Sequence, residues 1–202
     1  MVTTTTETYS SANAQKYTHK SRLYQWHIQA FMQQVYQLLA QTEAQSVLDA
    51  GCGEGFVTSY LARQNPALRL TGVDLNKEAI AYAQDHFGDL AHFRTGSLYK
   101  LPFSDNAFDL IVCSEVLEHL DDTDRALSEL KRVARRHVLI TVPREPYFKW
   151  LNDLSRAFGI SPDPGHVHFW TKTTFQDLIR SHFNTPIFAW KHVIYQMALA
   201  EV

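Results

Sequence analysis

A run of alternating glycines bracketed by carboxylates is the densest chemistry in this sequence. Asp49-Ala50-Gly51-Cys52-Gly53-Glu54-Gly55 follows the apolar pair Val47-Leu48, and Asp74 stands 23 residues after Gly51, where the next apolar stretch ends. Glycines after a strand let the backbone turn sharply and let a ligand approach the main chain. A helix starting there offers N–H groups with no partner inside the helix. A carboxylate at the tip of the following strand can accept both hydroxyls of a ribose. The pattern suits an adenosine without a pyrophosphate. A dinucleotide fingerprint counted from Gly51 wants its third glycine at position 56, where the chain has Phe56. Alternating glycines also serve ordinary βα turns, but Asp49 before them and Gly72-Val73-Asp74 after them favour a ligand.

A second group lies further on, at Ser114-Glu115-Val116-Leu117-Glu118-His119, with His166-Val167-His168 downstream. Glu115 and Glu118 are spaced i, i+3, and Glu115 and His119 i, i+4, so a helical turn here places all three on one face. An imidazole near neutral pH can take a proton from a hydroxyl nucleophile. His119 and Glu115 are therefore the catalytic candidates. The plainer alternative has Glu118 pairing locally and His119 packing over the edge of the ligand.

These residues need elements to hold them, and the apolar pattern supplies a βαβ alternation. Tyr17, Tyr24, Ile28, Phe31, Val35 and Leu38 recur at helical spacing and predict a helix over 16–41 that lids the ligand. Strands are expected at 46–50, 68–73, 90–95, 108–113 and 137–142, and helices at 57–63, 78–87, 122–134 and 173–183, with the last strands within 186–200. Asn76 is placed as the cap of the 78–87 helix. Strands alternating with helices imply right-handed crossovers and a parallel sheet covered on both faces. Residues 1–14, with four consecutive threonines, are expected to be disordered, and 15–202 to form one domain. The stretch 144–170 breaks the rhythm with prolines, glycines and aromatics. A helix over 148–158 and a turn at 162–165 are expected there. Tyr147, Phe148, Trp150, Phe169 and Trp170 would suit an apolar or ring-bearing substrate, or simply close an accessory core.

Four stretches carry a family likeness: Val47 through Gly55; Gly72-Val73-Asp74-Leu75; Gly96-Ser97 followed by Leu101-Pro102-Phe103-Ser104-Asp105-Asn106-Ala107-Phe108-Asp109; and Ser114 through Leu120. Together they resemble the class I S-adenosylmethionine-dependent methyltransferases, especially the group related to ubiquinone-biosynthesis O-methyltransferases. The resemblance implies a doubly wound, Rossmann-like α/β fold. Its seven-stranded, mostly parallel sheet would run 3-2-1-4-5-7-6, with strand 7 antiparallel and helices on both faces. It implies S-adenosyl-L-methionine as cofactor and S-adenosyl-L-homocysteine as product. Carried over by position, Gly51 and Gly53 border the methionine moiety, with Cys52 between them. Asp74 takes the ribose with Leu75 beside it, Ser97 and Leu98 flank the adenine, and Ser114 and Glu115 lie near the sulfonium. Asp49 would orient the glycine loop or the ligand's ammonium group.

Two positions depart from the family. Ser97 stands where an Asp usually accepts from the adenine amino group, and a hydroxyl accepts more weakly than a carboxylate. Ala134-Arg135-Arg136-His137 replaces the usual Lys-Pro-Gly-Gly turn. Some relatives hold a divalent metal with a Glu-x-x-Glu-His motif and a later histidine. The same motif occurs without a metal role, so no metal ligand is assigned here.

The bulk properties fit a small-molecule enzyme. The chain has 202 residues, 45% of them hydrophobic, and a formal net charge of -2. That charge gives no electrostatic reason to expect nucleic acid. Lys131, Arg132, Arg135 and Arg136 form a local basic group, expected to be the solvated face of a helix. No apolar run spans a bilayer. Two cysteines without a secretory leader suggest a reducing, cytoplasmic location. The expected activity is methyl transfer to a hydroxyl or carbon of a small molecule, aromatic or lipid-like, by a monomer or homodimer. The alternatives are a cofactor-binding protein without turnover and a metal-assisted RNA 2′-O-methyltransferase.

Overall fold

The structure, a computed structural model, describes residues 22–146, 165–189 and 194–202. In chain order the elements are α1 (Arg22–Leu39), β1 (Ser46–Ala50), α2 (Phe56–Gln64), β2 (Arg69–Asp74), α3 (Lys77–Phe87), β3 (His92–Thr95), β4 (Phe108–Ser114), a single 3-10 turn (Leu117–His119), α4 (Thr123–Val133), β5 (Ala134–Pro143), α5 (Lys172–His182), β6 (Asn184–Ala189) and β7 (Tyr195–Glu201). The strands form one sheet in the order β3-β2-β1-β4-β5-β7-β6. The first five pair in parallel, and β7 runs antiparallel between β5 and β6. This is the order the family likeness implied. The strand order reverses between β1 and β4, so a crevice opens beyond their carboxyl ends.

The near-continuous apolar strands are explained by burial on both faces. Val47, Leu110, Val112, Leu139 and Met197 face a layer made by α1, α2 and α3. Leu48, Ala50, Ile111, Val138 and Ile140 face α4 and α5. Helix α1 buries Ile28, Phe31, Val35 and Leu38 in the first layer, as its spacing required. Its described part is thus a packed element of the core. The start of the expected lid, residues 16–21, lies outside the described residues, as do residues 1–14, the helix expected at 148–158 and most of the expected turn at 162–165. Asn76 caps α3 as expected, its side chain accepting from the N–H groups of Glu78 and Ala79.

Several boundaries differ from expectation by about one to three residues, most of all the α4–β5 junction. Helix α4 stops at Val133, and β5 begins at Ala134, whose extended backbone pairs with Phe108. The basic quartet is therefore split between a helix end and a strand rather than lying on one helical face. Arg132 donates to Glu129, Asp105 and two backbone carbonyls, Arg135 pairs with Asp109 at 2.7 Å, and Lys131 donates to the His182 carbonyl. Three of these cations thus serve internal contacts. No described helix is long and apolar enough to cross a membrane. Cys52 and Cys113 are both free and buried.

Candidate cofactor and active site

The glycine loop leaves β1 at the reversal point and is tied to β2 before it enters α2. The N–H groups of Gly51 and Cys52 both donate to the Val73 carbonyl, at 2.7 and 3.0 Å. The Gly53 N–H donates to Asp74 Oδ2 at 2.8 Å, and Asp74 Oδ1 accepts from the Asn76 N–H at 2.8 Å. One carboxylate therefore fixes the loop and the turn after β2. Gly51 has φ +85°, and a side chain there would collide with Val116. Gly55 caps α2 in the left-handed conformation, with no side-chain hydrogen bond at the helix start. Phe56, where a dinucleotide site wants glycine, sets its ring 6.0 Å from Tyr82 and 5.8 Å from Phe87.

Asp49 points from β1 to the first turns of α2, where Thr58 Oγ1 donates to its Oδ2 at 2.5 Å. Burial pushes its carboxyl up to about 6 against the lowering effect of Thr58, and nearby Asp74 adds to the rise. Burial also raises the Cys52 thiol, helped by Asp49 and Asp74. Glu54 is buried within the loop. At the other lip of the crevice Leu75 is exposed and Leu98 buried. Ser97 Oγ accepts from the Tyr99 N–H at 3.2 Å, which leaves its own proton to donate.

The second group does not form the shared helical face that its spacing suggested. Glu115 has a left-handed backbone, φ +58°, which breaks any helical turn before it starts. Its N–H donates to the Thr141 carbonyl, and Thr141 Oγ1 donates to its Oε1 at 3.3 Å. Ser114 Oγ lies 3.1 Å from the same Thr141 hydroxyl. Glu118, by contrast, is buried beneath the 3-10 turn, and His119 is exposed at its end. Glu118, His119 and His166 bring one donor atom each to within 4.8 Å of one another; Glu115 is not among them.

His166 arrives on an extended strap, residues 165–170. The Val167 and His168 N–H groups donate to the Glu118 carbonyl, and His119 Nδ1 lies 3.3 Å from the Gly165 carbonyl oxygen. Alternation along the strap turns His166, His168 and Trp170 inward and Val167 and Phe169 outward. Trp170 enters the core, while Phe169 is exposed. The fully buried Gln196 of β7 fastens the strap, its Nε2 donating to the carbonyls of Trp170 at 2.9 Å and Pro143 at 3.3 Å. Tyr147, Phe148 and Trp150 lie outside the described residues.

Sequence reasoning missed Thr58, Thr141, Val116 and Gln196. A signal existed for Thr141, a lone hydroxyl in the apolar run Val138-Leu139-Ile140-Thr141-Val142. None existed for Gln196, whose role depends on β7 being inserted next to β5.

Residues 48–142 match the family described as "Methyltransferase domain". A demethylmenaquinone methyltransferase of Thermotoga maritima is 32% identical over 102 residues, covering 50% of this chain and 44% of that protein. A probable S-adenosylmethionine-dependent methyltransferase of Mycolicibacterium smegmatis is 37% identical over 102 residues, covering 50% of this chain and 38% of its own length. Both alignments span less than half of the relative. Among solved structures, the magnesium protoporphyrin IX methyltransferase of Synechocystis, crystallised with bound SAH, superposes with a TM-score of 0.69 at 18% identity. It covers 94% of this chain and 92% of its own.

Proposed function

We propose that the chain, whose residues 48–142 match the family described as "Methyltransferase domain", is a class I S-adenosylmethionine-dependent methyltransferase that transfers a methyl group from S-adenosylmethionine to a hydroxyl or carbon of a small apolar or ring-bearing molecule. One observation carries this reading: Asp74 Oδ2 accepts from the Gly53 N–H at 2.8 Å, which ties the glycine loop to the carboxylate read here as the ribose acceptor. When bound, S-adenosylmethionine supplies a methyl group on a sulfonium and leaves as the thioether S-adenosylhomocysteine. The glycine loop admits the amino-acid tail, Asp74 accepts from the ribose hydroxyls, and Leu75 and Leu98 offer apolar surface to the base. Ser97 meets the adenine edge as a donor as well as an acceptor. Ser114 and Glu115, braced by Thr141, border the reacting carbon. Holding acceptor, carbon and sulfur in line is the main catalytic contribution, worth roughly 7–11 kcal/mol at the high end. A hydroxyl acceptor also gives up a proton, which His119 receives. Donation from His119 Nδ1 to the Gly165 carbonyl selects the tautomer whose Nε2 can do so. The buried free cysteines fit a reducing cytoplasmic setting.

Calorimetry with S-adenosylhomocysteine, followed by transfer of labelled methyl to a panel of phenols, quinols and fatty acids, tests the proposal. Micromolar binding with product on at least one acceptor is expected. Absence of binding refutes the cofactor assignment, and binding without product on any acceptor favours a binding protein instead. His119→Ala is expected to lower kcat on a hydroxyl acceptor about 10²-fold or more; full activity would end its role as base.

A second reading is favoured by the convergence of Glu118, His119 and His166. One carboxylate and two imidazoles are a donor set that suits a divalent transition metal. These three residues would hold it, and the metal would acidify an acceptor hydroxyl. Titration with Co(II) is expected to give visible absorption bands that His166→Ala removes; a featureless titration would sink the reading. The internally paired Arg132 and Arg135 lend no support to an RNA acceptor.

A further inference from the structure

One buried hydroxyl decides which way the protons point at the crevice end of β4 and β5. Thr141 is 0% exposed, and it is the single polar side chain in the run Val138-Leu139-Ile140-Thr141-Val142. Ser114 stands directly opposite it in the register of the parallel pair. A hydroxyl in so apolar a setting must place its proton and a lone pair on neighbours. It has two. Thr141 Oγ1 donates to Glu115 Oε1 at 3.3 Å and lies 3.1 Å from Ser114 Oγ. The Thr141 carbonyl also accepts from the Glu115 N–H at 3.1 Å. One residue therefore holds Glu115 by backbone and by side chain, at a φ of +58° that L residues seldom adopt.

The order of donors follows from the number of protons. An ionised carboxylate only accepts, and a hydroxyl has one proton to give. Thr141 gives its proton to Glu115, so the bond between the two hydroxyls needs the proton of Ser114. Donation runs from Ser114 to Thr141 to Glu115. Ser114 Oγ, half-buried at the strand end, is left with lone pairs alone to turn toward the crevice.

Resting on the cofactor assignment above, we propose that Thr141 is a positioning residue that fixes Ser114 and Glu115 as acceptors, so that the site holds the methylated sulfonium more tightly than the neutral thioether left after transfer. A carboxylate and a hydroxyl lone pair favour a cation whose methyl hydrogens carry part of the charge. Once the methyl has left with the acceptor and the electron pair of the broken bond has stayed on sulfur, Ser114 and Glu115 face a neutral group with nothing to donate. Thr141 thereby helps the product to leave.

Calorimetry without an acceptor, so that no turnover occurs, tests this with three ligands. They are S-adenosylmethionine, S-adenosylhomocysteine and sinefungin, which carries an ammonium group in place of the methylsulfonium. In the unaltered protein the two cations are expected to bind about tenfold more tightly than S-adenosylhomocysteine, the size of one charge-assisted contact. Thr141→Val keeps the shape and the backbone contact to Glu115 but removes the hydroxyl. It should shrink the preference to about twofold or less, and Thr141→Ser should restore it. A merely structural role would weaken all three ligands alike. Ser114→Ala should also erase the preference, and it decides the matter if Thr141→Val fails to fold. Equal affinities in the unaltered protein, or a preference that survives both Thr141→Val and Ser114→Ala, overturns this inference and leaves the cofactor assignment intact. No binding of any of the three ligands overturns both.

Discussion

Asp74 does two jobs with one carboxylate, and that makes it the most informative single residue. It fixes the Gly53 and Asn76 N–H groups and, in the proposed function, also accepts from a ribose. Asp74→Ala is expected to weaken S-adenosylhomocysteine binding by about 1–3 kcal/mol, the worth of charge-assisted hydrogen bonds. Unchanged affinity by calorimetry would refute the ribose assignment. The glycines, Asp49 and Asp74 were legible in the sequence because their spacing follows from one strand-loop-helix unit. Their bracing was not. Thr58, Val116 and Thr141 act through space on residues 9 to 65 positions away, and no local pattern marks such contacts. Glu115 shows the limit of spacing arguments. An i, i+3 pattern implies a shared face only if the backbone is helical, and φ +58° at Glu115 removes that condition.

At the scale of elements, β1 and β4 must stay in register for the crevice to exist, and a carboxylate at their far end helps to hold them. Asp109 accepts from the Ser46 N–H at 2.9 Å and hydroxyl at 2.8 Å, from the Gln45 N–H, and from Arg135. Burial alone would raise its carboxyl; the Ser46 and Gln45 donors, with Arg135, outweigh it and hold the group at about 2. A folded value below the ordinary one means the stabilisation is complete above about 4 and disappears as pH falls through 2. It amounts to about 1–2 kcal/mol after allowing for solvent screening. Denaturant melts between pH 5 and 2 should lose that much more in the native chain than in Asp109→Asn; identical losses would refute it. The strands and helices themselves were legible from apolar periodicity. The α4–β5 junction was misplaced because 131–136 is charged, and a charged run continues a helix face as readily as it starts a strand.

At the scale of the whole molecule, two apolar layers clamp one sheet, and α5 closes the second layer with Phe175 and Ile179, both fully buried. Phe175→Ala is expected to cost about 3–5 kcal/mol in chemical denaturation, as for other large cavities in a core; a loss below 1 kcal/mol would mean that the layer collapses around it. The doubly wound class was legible from the alternation of elements alone, whereas the 3-10 turn, the strap and its tie to Gln196 depend on residues far apart in sequence. The sheet order has a kinetic side. Strands β2 to β5 can each pair with a strand already made, but β6 has no neighbour until β7 slides in between it and β5. The Gln196 clasp on the Trp170 strap arrives with that same strand. Vectorial synthesis therefore leaves the β5 edge open and the strap unfastened until β7 is made. Folding should show a slow, late phase in which the half of the crevice nearest His166 becomes ordered after the glycine loop is already formed.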